Sequence, residues 1–206
     1  MVRYADDMVI LCPSAEAAEN VLLMLREWTS QAGLTLHPGK TKIDSAALHP
    51  FGAACRLSVS LLSAVDMGRP KTYFDFLGYR LWRSQKGGQL RRFIRPESIQ
   101  KFKASIKPLT KRANGHSLEA IAKRLQPKLA GFYGYFKQAS ATTLESLDGW
   151  VRGRLRGILR KRAGLRGRGR GKDHQKWPNH YFRKLGLYSL AAAQEEEKSL
   201  RKAANS

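Results

Sequence analysis

Carboxylates are scarce in this 206-residue chain: 16 Asp and Glu stand against 38 Lys and Arg, a formal net charge of +22. An imbalance of that size disfavours a cationic ligand and favours a polyanionic one. Cysteine is nearly absent too. Cys12 and Cys55 cannot build a disulfide framework or a four-thiolate zinc site, and each sits among apolar neighbours, as reduced core residues do. The histidines, at positions 37, 49, 116, 174 and 180, have no Cys or acid at metal-ligand spacing. No apolar run approaches the roughly 20 residues of a membrane-spanning helix. The N-terminus has no basic, apolar and cleavable succession of a secretory signal. A cytoplasmic setting without a membrane partner is therefore expected.

What is present is unevenly placed. Residues 1–100 carry 13 basic and 9 acidic groups, whereas residues 101–206 carry 25 and 7. The second half thus holds most of the positive field, and nucleic acid is its expected partner.

The most informative string in the first half is Tyr4-Ala5-Asp6-Asp7, set in an apolar frame from Val2 to Leu11. Side chains alternate along a strand, so Tyr4 and Asp6 share one side and Asp7 joins them only if the chain turns there. A tight strand–turn–strand is predicted. Two adjacent acids in such a frame either hold a cation, which removes the cost of burying charge, or decorate the turn, which Asp favours.

Beyond Ser14, a helix cap, apolar residues recur at Val21, Leu25, Trp28 and Ala32, and the helix is expected to stop at Gly33. Leu34 to Leu36 reads as a short strand, followed by a turn at His37-Pro38-Gly39 and then Lys40-Thr41-Lys42-Ile43. Residues 44–73 read as an irregular insertion or strand. Tyr73 to Tyr79 alternates like a strand broken at Gly78, where glycine would permit close approach of another backbone. Lys86-Gly87-Gly88 would close a hairpin returning through Leu90 to Ile94.

Three helices follow. The first opens at Pro96 with an apolar face of Ile99, Phe102, Ile106 and Leu109. The second runs from Ser117 through Ile121, Leu125 and Leu129 with a kink at Pro127. The third starts at Thr142, capped with Glu145, and its face is Leu144, Leu147, Val151, Leu155 and Ile158. That face leaves Arg152, Arg154, Arg156, Arg160, Lys161 and Arg162 for solvent and phosphate, followed by Arg166, Arg168 and Arg170 in a Gly/Arg-rich linker. Gly131 to Phe136 gathers aromatics that either pack tightly or stack on bases, packing being the preferred reading. The tail after Ala191 is expected to fray.

Arg3-Tyr4-Ala5-Asp6-Asp7 resembles the catalytic hairpin of group II intron reverse transcriptase/maturases. The Gly-Leu, His-Pro and Lys-Thr-Lys run resembles their next palm motif, and Phe76-Leu77-Gly78-Tyr79 resembles their primer-grip strand. Arg95-Pro96, Gly131 to Phe136, Trp177-Pro178-Asn179-His180-Tyr181-Phe182 and Leu185-Gly186-Leu187-Tyr188-Ser189-Leu190 resemble their maturase-specific domain, also called domain X or the thumb. The resemblance implies an α+β chain. A partial reverse-transcriptase palm of antiparallel strands with one helix would span 1–94, maturase helices 95–163, a linker 164–176, and a C-terminal maturase segment and frayed tail 177–206.

By the same resemblance Asp6 and Asp7 would be catalytic and would help hold Mg2+. Tyr4, Lys40, Lys42, Leu77 and Gly78 would lie near primer or nucleotide, although Lys40 and Lys42 read equally well as solvated lysines. The implied partners are intron RNA and an RNA/DNA primer–template. Because the sequence opens at the hairpin, the fingers and the strand bearing another palm aspartate are expected to be missing, so that the chain alone would not polymerise DNA. Three readings follow: a fragment that retains intron-RNA binding to assist splicing and mobility; one half of a split magnesium-dependent reverse transcriptase completed by a separate N-terminal half; or an RNA-binding module with vestigial acids.

Overall fold

The computed structural model describes residues 1–4, 7–36, 41–49, 52–59, 73–83, 89–167, 169 and 171–205, with the backbone alone at 2, 7, 42, 44–49, 52–59 and 83. The chain is α+β and divides into two compact units, Met1–Arg91 and Arg92–Ser206.

In the first unit, β1 (Val2–Tyr4) and β2 (Asp7–Leu11) pair antiparallel with Tyr4 opposite Asp7. The two strands are those expected to flank the Tyr-Ala-Asp-Asp turn. Next comes α1 (Ala15–Gln31), which begins where the Ser14 hydroxyl accepts a hydrogen bond from the Ala17 N–H at 3.1 Å. It ends at Gly33, whose φ of +70° suits glycine. Strands β3 (Thr41–His49) and β4 (Gly52–Val59) complete an antiparallel sheet of order β1-β2-β4-β3. Helix α1 packs on this sheet around Cys12 and Ala18, with Met8, Ile10, Val21, Leu22, Leu25 and Ile43 closing the cluster.

Several expectations for this unit need correction. Trp28 is 57 % exposed, and the buried line of α1 runs through Ala18 and Thr29 instead. Thr29 is tolerated inside because its hydroxyl bonds back to the Leu25 carbonyl at 2.8 Å. Leu34 to Leu36 forms no strand. The stretch read as an irregular insertion or strand contains most of the β3–β4 hairpin, its strand alternative, while residues 60–72 lie outside the described residues, as do the turns proposed at 37–39 and 86–88.

A second, three-stranded sheet has the order β5 (Tyr73–Phe76), β6 (Tyr79–Arg83), β7 (Leu90–Ile94). Gly78 does not interrupt a strand. With Phe76 opposite Tyr79, Leu77 and Gly78 form the two-residue hairpin loop, and both have positive φ, +48° and +76°. That is the backbone of a type I′ turn, whose twist matches the flanking strands. Across the hairpin, Arg80 grips Asp75 with two bonds of 2.8 and 2.9 Å and lies 4.0 Å from the centre of the Tyr73 ring.

The second unit is helical: α2 (Pro96–Ile106), a single 3-10 turn (Pro108–Thr110), α3 (Leu118–Phe136), α4 (Ala141–Arg162), α5 (Gly171–Lys176), α6 (Asn179–Lys184) and α7 (Leu190–Ala204). The apolar face expected on α4 is buried in full, Leu144, Leu147, Val151, Leu155 and Ile158 each being at most 3 % exposed. Phe102, Ile106, Ile121, Leu125 and Leu129 join it. Helix α3 continues through Pro127 without ending there. The cap of α4 is Ser140 rather than Thr142, and the expected Glu145 capping box does not form; the Ser140 hydroxyl pairs with that of Thr142.

The largest departure is at the C-terminus, where the tail expected to fray is α7, packed against α3 and α4. Buried Asp148 on α4 accepts from the Ser189 hydroxyl at 2.7 Å and from the Leu190 and Ala191 N–H groups at 3.0 and 3.1 Å. A carboxylate from one helix thereby caps the positive end of another. One turn on, the buried Gln194 amide donates to the Lys137 and Ala139 carbonyls at the end of α3, at 2.9 and 2.8 Å. Tyr133 donates to Glu197 at 2.8 Å. The linker expected at 164–176 likewise ends in α5, with Asp173 buried.

Candidate nucleic-acid interface

Of the seven acids in residues 101–206, three turn inward or are already matched: Asp148 on α7, Asp173 on Arg160, and Glu197 on Tyr133, Lys137 and Arg201. The outward field is consequently more one-sided than the composition. The fold also sorts the basic residues of α4, which the sequence had placed together on its solvent side.

Arg154, Arg156 and Arg160 turn into the unit. Arg154 donates to the Thr110 hydroxyl at 2.9 Å and to the Thr110 and Lys107 carbonyls at 2.9 and 3.2 Å, closing the end of the 3-10 turn. Arg156, 2 % exposed, donates to the Trp177 carbonyl and the Asn179 side-chain oxygen, both at 2.9 Å, above the Phe182 ring. Burial pulls the pKa of Arg156 down, and the neighbouring Arg152 adds to the effect. Arg160 reaches both oxygens of Asp173, at 2.9 and 2.7 Å, and the Arg166 carbonyl at 2.6 Å. The placement of these three side chains in solvent is therefore corrected: α4 is covered on more than one side, by α7, by the 3-10 turn and by the segment around Trp177. Arg152 is half-buried, with its Nε shielded and lacking a hydrogen bond.

Lys161, Arg162 and Arg166 are exposed. Arg162 also fastens the loop before α3, donating to the Asn114 carbonyl at 3.3 Å and to that of His116. Arg168 and Arg170 lie outside the described residues. Exposed Lys172 and Lys176 continue the same run, and sequence reasoning passed over both by treating this stretch as linker.

The aromatic segment packs as preferred. Phe132 lies between Phe102 and Phe136, with ring centres 4.1 and 4.7 Å away, and Tyr133 and Phe136 are buried; Tyr135 is exposed. Trp177 and Phe182, which marked the C-terminal motif, are core residues, 8 % and 1 % exposed. Burial pushes the Tyr133 hydroxyl up to about 12, assisted by its bond to Glu197. Glu197 is in turn held below the usual carboxylate range, chiefly by that Tyr133 bond.

In the first unit, Tyr4 is 60 % exposed at the end of β1, directly across from Asp7 at the start of β2. Asp6 and Lys40 lie outside the described residues. Lys42 lies on β3 opposite Ser58 of β4. Leu77 and Gly78 sit together at the tip of the β5–β6 hairpin. Among the described residues no group of three His, Cys, Asp or Glu is placed to hold a metal, and no helix is long and apolar enough to cross a membrane.

Comparison with known families gives two matches in chain order. The model for "Reverse transcriptase (RNA-dependent DNA polymerase)" matches residues 1–81, and that for "Group II intron, maturase-specific domain" matches residues 99–184. No curated protein matches the chain.

Proposed function

We propose that the helical unit of this chain, which belongs to the group II intron reverse transcriptase/maturase family, binds intron RNA and so assists splicing and mobility. The observation that carries this reading is the sorting of charge on a maturase-specific domain. Asp148 and Asp173 are buried, Glu197 is matched by Tyr133, Lys137 and Arg201, and Lys161, Arg162, Arg166, Lys172 and Lys176 stand outside. Exposed cations without matching acids bind phosphate by releasing its counterions, and such contacts position an RNA without specifying its bases.

The test is the affinity of the full chain for a folded group II intron RNA as salt is raised. Neutralising about six phosphates predicts a loss of about a thousandfold between 50 and 200 mM salt. A flat response contradicts the proposal.

A second reading concerns the hairpin and is favoured by its register, with Tyr4 opposite Asp7. Reverse transcriptases generally use a divalent metal. The oxygen donors of Asp6 and Asp7 suit Mg2+, and the bound ion would supply charge stabilisation for phosphoryl transfer. Two carboxylates adjacent in sequence are too few for a two-metal centre. Nucleotidyl transfer by this hairpin therefore requires a carboxylate from another strand or another polypeptide, with Tyr4 placed towards the primer end.

A further inference from the structure

Beside α4 lies a cleft of about 440 Å³. Its volume falls in the roughly 300–1,000 Å³ range of small-ligand sites. One wall is the backbone of α4 at Gly153 and Gly157, one turn apart, and Trp150 stands next to it. A Cβ added at Gly153 would meet nothing within 4 Å, so the helix surface there opens directly on the cleft.

The guanidinium groups of Arg112 and Arg154, close enough to repel one another, belong to residues that line the same cleft, and no Asp or Glu lines it. Their unmatched charge points to an anion. Arg156, which also belongs to the lining, is buried and its guanidinium is held by the Trp177 carbonyl and the Asn179 side-chain oxygen, so it takes no part in meeting the anion. Arg112 is exposed and has no hydrogen-bond or ion-pair partner among the described residues. Half-buried Trp150 contributes an aromatic surface on which a base can stack. Lys103 and Arg154, with their charges 5.5 and 5.7 Å from its ring centre, steady it.

We infer that this cleft receives a single nucleotide turned out of an RNA helix, its phosphate met by Arg112 and Arg154 and its base laid against Trp150. The inference rests on the RNA-binding reading above and narrows it, because the exposed cations recognise backbone generally whereas the cleft selects an unpaired nucleotide. A strand is favoured over a free nucleotide because exposed cations stand beyond the cleft itself, Lys111 between the lining residues Thr110 and Arg112 in the chain and Lys161 one helical turn past Gly157.

The experiment measures binding of the full chain, by fluorescence anisotropy, to two labelled RNA hairpins of identical stem. One is fully paired and the other carries one bulged uridine. Uridine monophosphate serves as a competitor. The wild type is expected to bind the bulged hairpin about tenfold more tightly. Gly153→Leu, which fills the cleft from a helical position with open space, and Arg112→Ala, which removes an exposed side chain, should each abolish most of that preference. Affinity for the paired hairpin should stay within twofold. Equal binding of both hairpins by the wild type, or a preference that survives both substitutions, overturns the cleft assignment while leaving general RNA binding standing. Displacement of bulged RNA by micromolar uridine monophosphate overturns the strand as occupant. Failure of the wild type to bind either hairpin removes the RNA-binding reading itself.

Discussion

Arg160 and Asp173 provide the sharpest separation of architecture from recognition. The guanidinium meets both carboxylate oxygens at 2.9 and 2.7 Å, with side chains 17 % and 6 % exposed, and it joins the last turns of α4 to α5. Removing one member of a buried pair costs roughly 3–5 kcal/mol because the other charge is left stranded. With Arg160 partly exposed, about 3 kcal/mol is expected for Asp173→Ala and about the same for Arg160→Ala. The double variant strands no charge, so it should lose less than the sum of the two, with a coupling of about 2 kcal/mol. Urea unfolding followed by helical circular dichroism reads all four corners of this cycle. The double variant also keeps the net charge of +22, since it removes one charge of each sign. Its affinity for intron RNA should therefore match the wild type within twofold. Single losses under about 0.5 kcal/mol that simply add, or a folded double variant that binds RNA tenfold more weakly, would refute the placement of Arg160 as a structural arginine.

Two further outcomes concern stability. Leu77 occupies a left-handed position in the β5–β6 turn, which costs an L-residue roughly 1–2 kcal/mol and which asparagine tolerates better. Leu77→Asn should raise the stability of the first unit by about 0.5–1 kcal/mol in a urea titration, and a loss instead would mean that the leucine side chain outweighs its backbone. The Tyr133 hydroxyl, raised from its ordinary value of 10.0 to about 12, favours the folded state while protonated. Its contribution is complete below pH 10 and is lost as pH climbs from 10 towards 12. Alkaline unfolding of the wild type should steepen in that window and Tyr133→Phe should flatten it; identical profiles would contradict the Tyr133–Glu197 assignment.

Apolar periodicity suffices to find the apolar stripe of a helix, as with Leu144, Leu147, Val151, Leu155 and Ile158. The same rule misplaced Arg156, since it assumes a single buried side and α4 is enclosed on several. A guanidinium serves there as a long polar strut between backbone segments that only the tertiary fold brings near, Trp177 lying 21 residues away. Helix α7 escaped notice for the complementary reason. Its inward positions include Gln194 and Glu197, polar residues whose partners, the end of α3 and Tyr133, are more than 50 residues distant in sequence. In α1 the stripe was displaced from Trp28 to Thr29 because a threonine that bonds to its own helix can occupy an inward position. Gly78 followed a strand pattern, but positive φ at two successive residues is a property of the turn that alternation does not encode. The charge asymmetry was legible from composition; which cations remain outside was not.

The direct test of the central claim replaces cations that the fold leaves exposed and without internal partners, Lys161→Ala, Arg166→Ala and Lys172→Ala together, and measures intron-RNA affinity of the full chain against salt. Each lost phosphate contact should lower the steepness of the salt dependence by about one. The triple variant is thus expected to unfold at the wild-type urea concentration, bind at least tenfold more weakly at 100 mM salt, and show a slope reduced by about three. Unchanged affinity and slope in the folded triple variant would contradict the account.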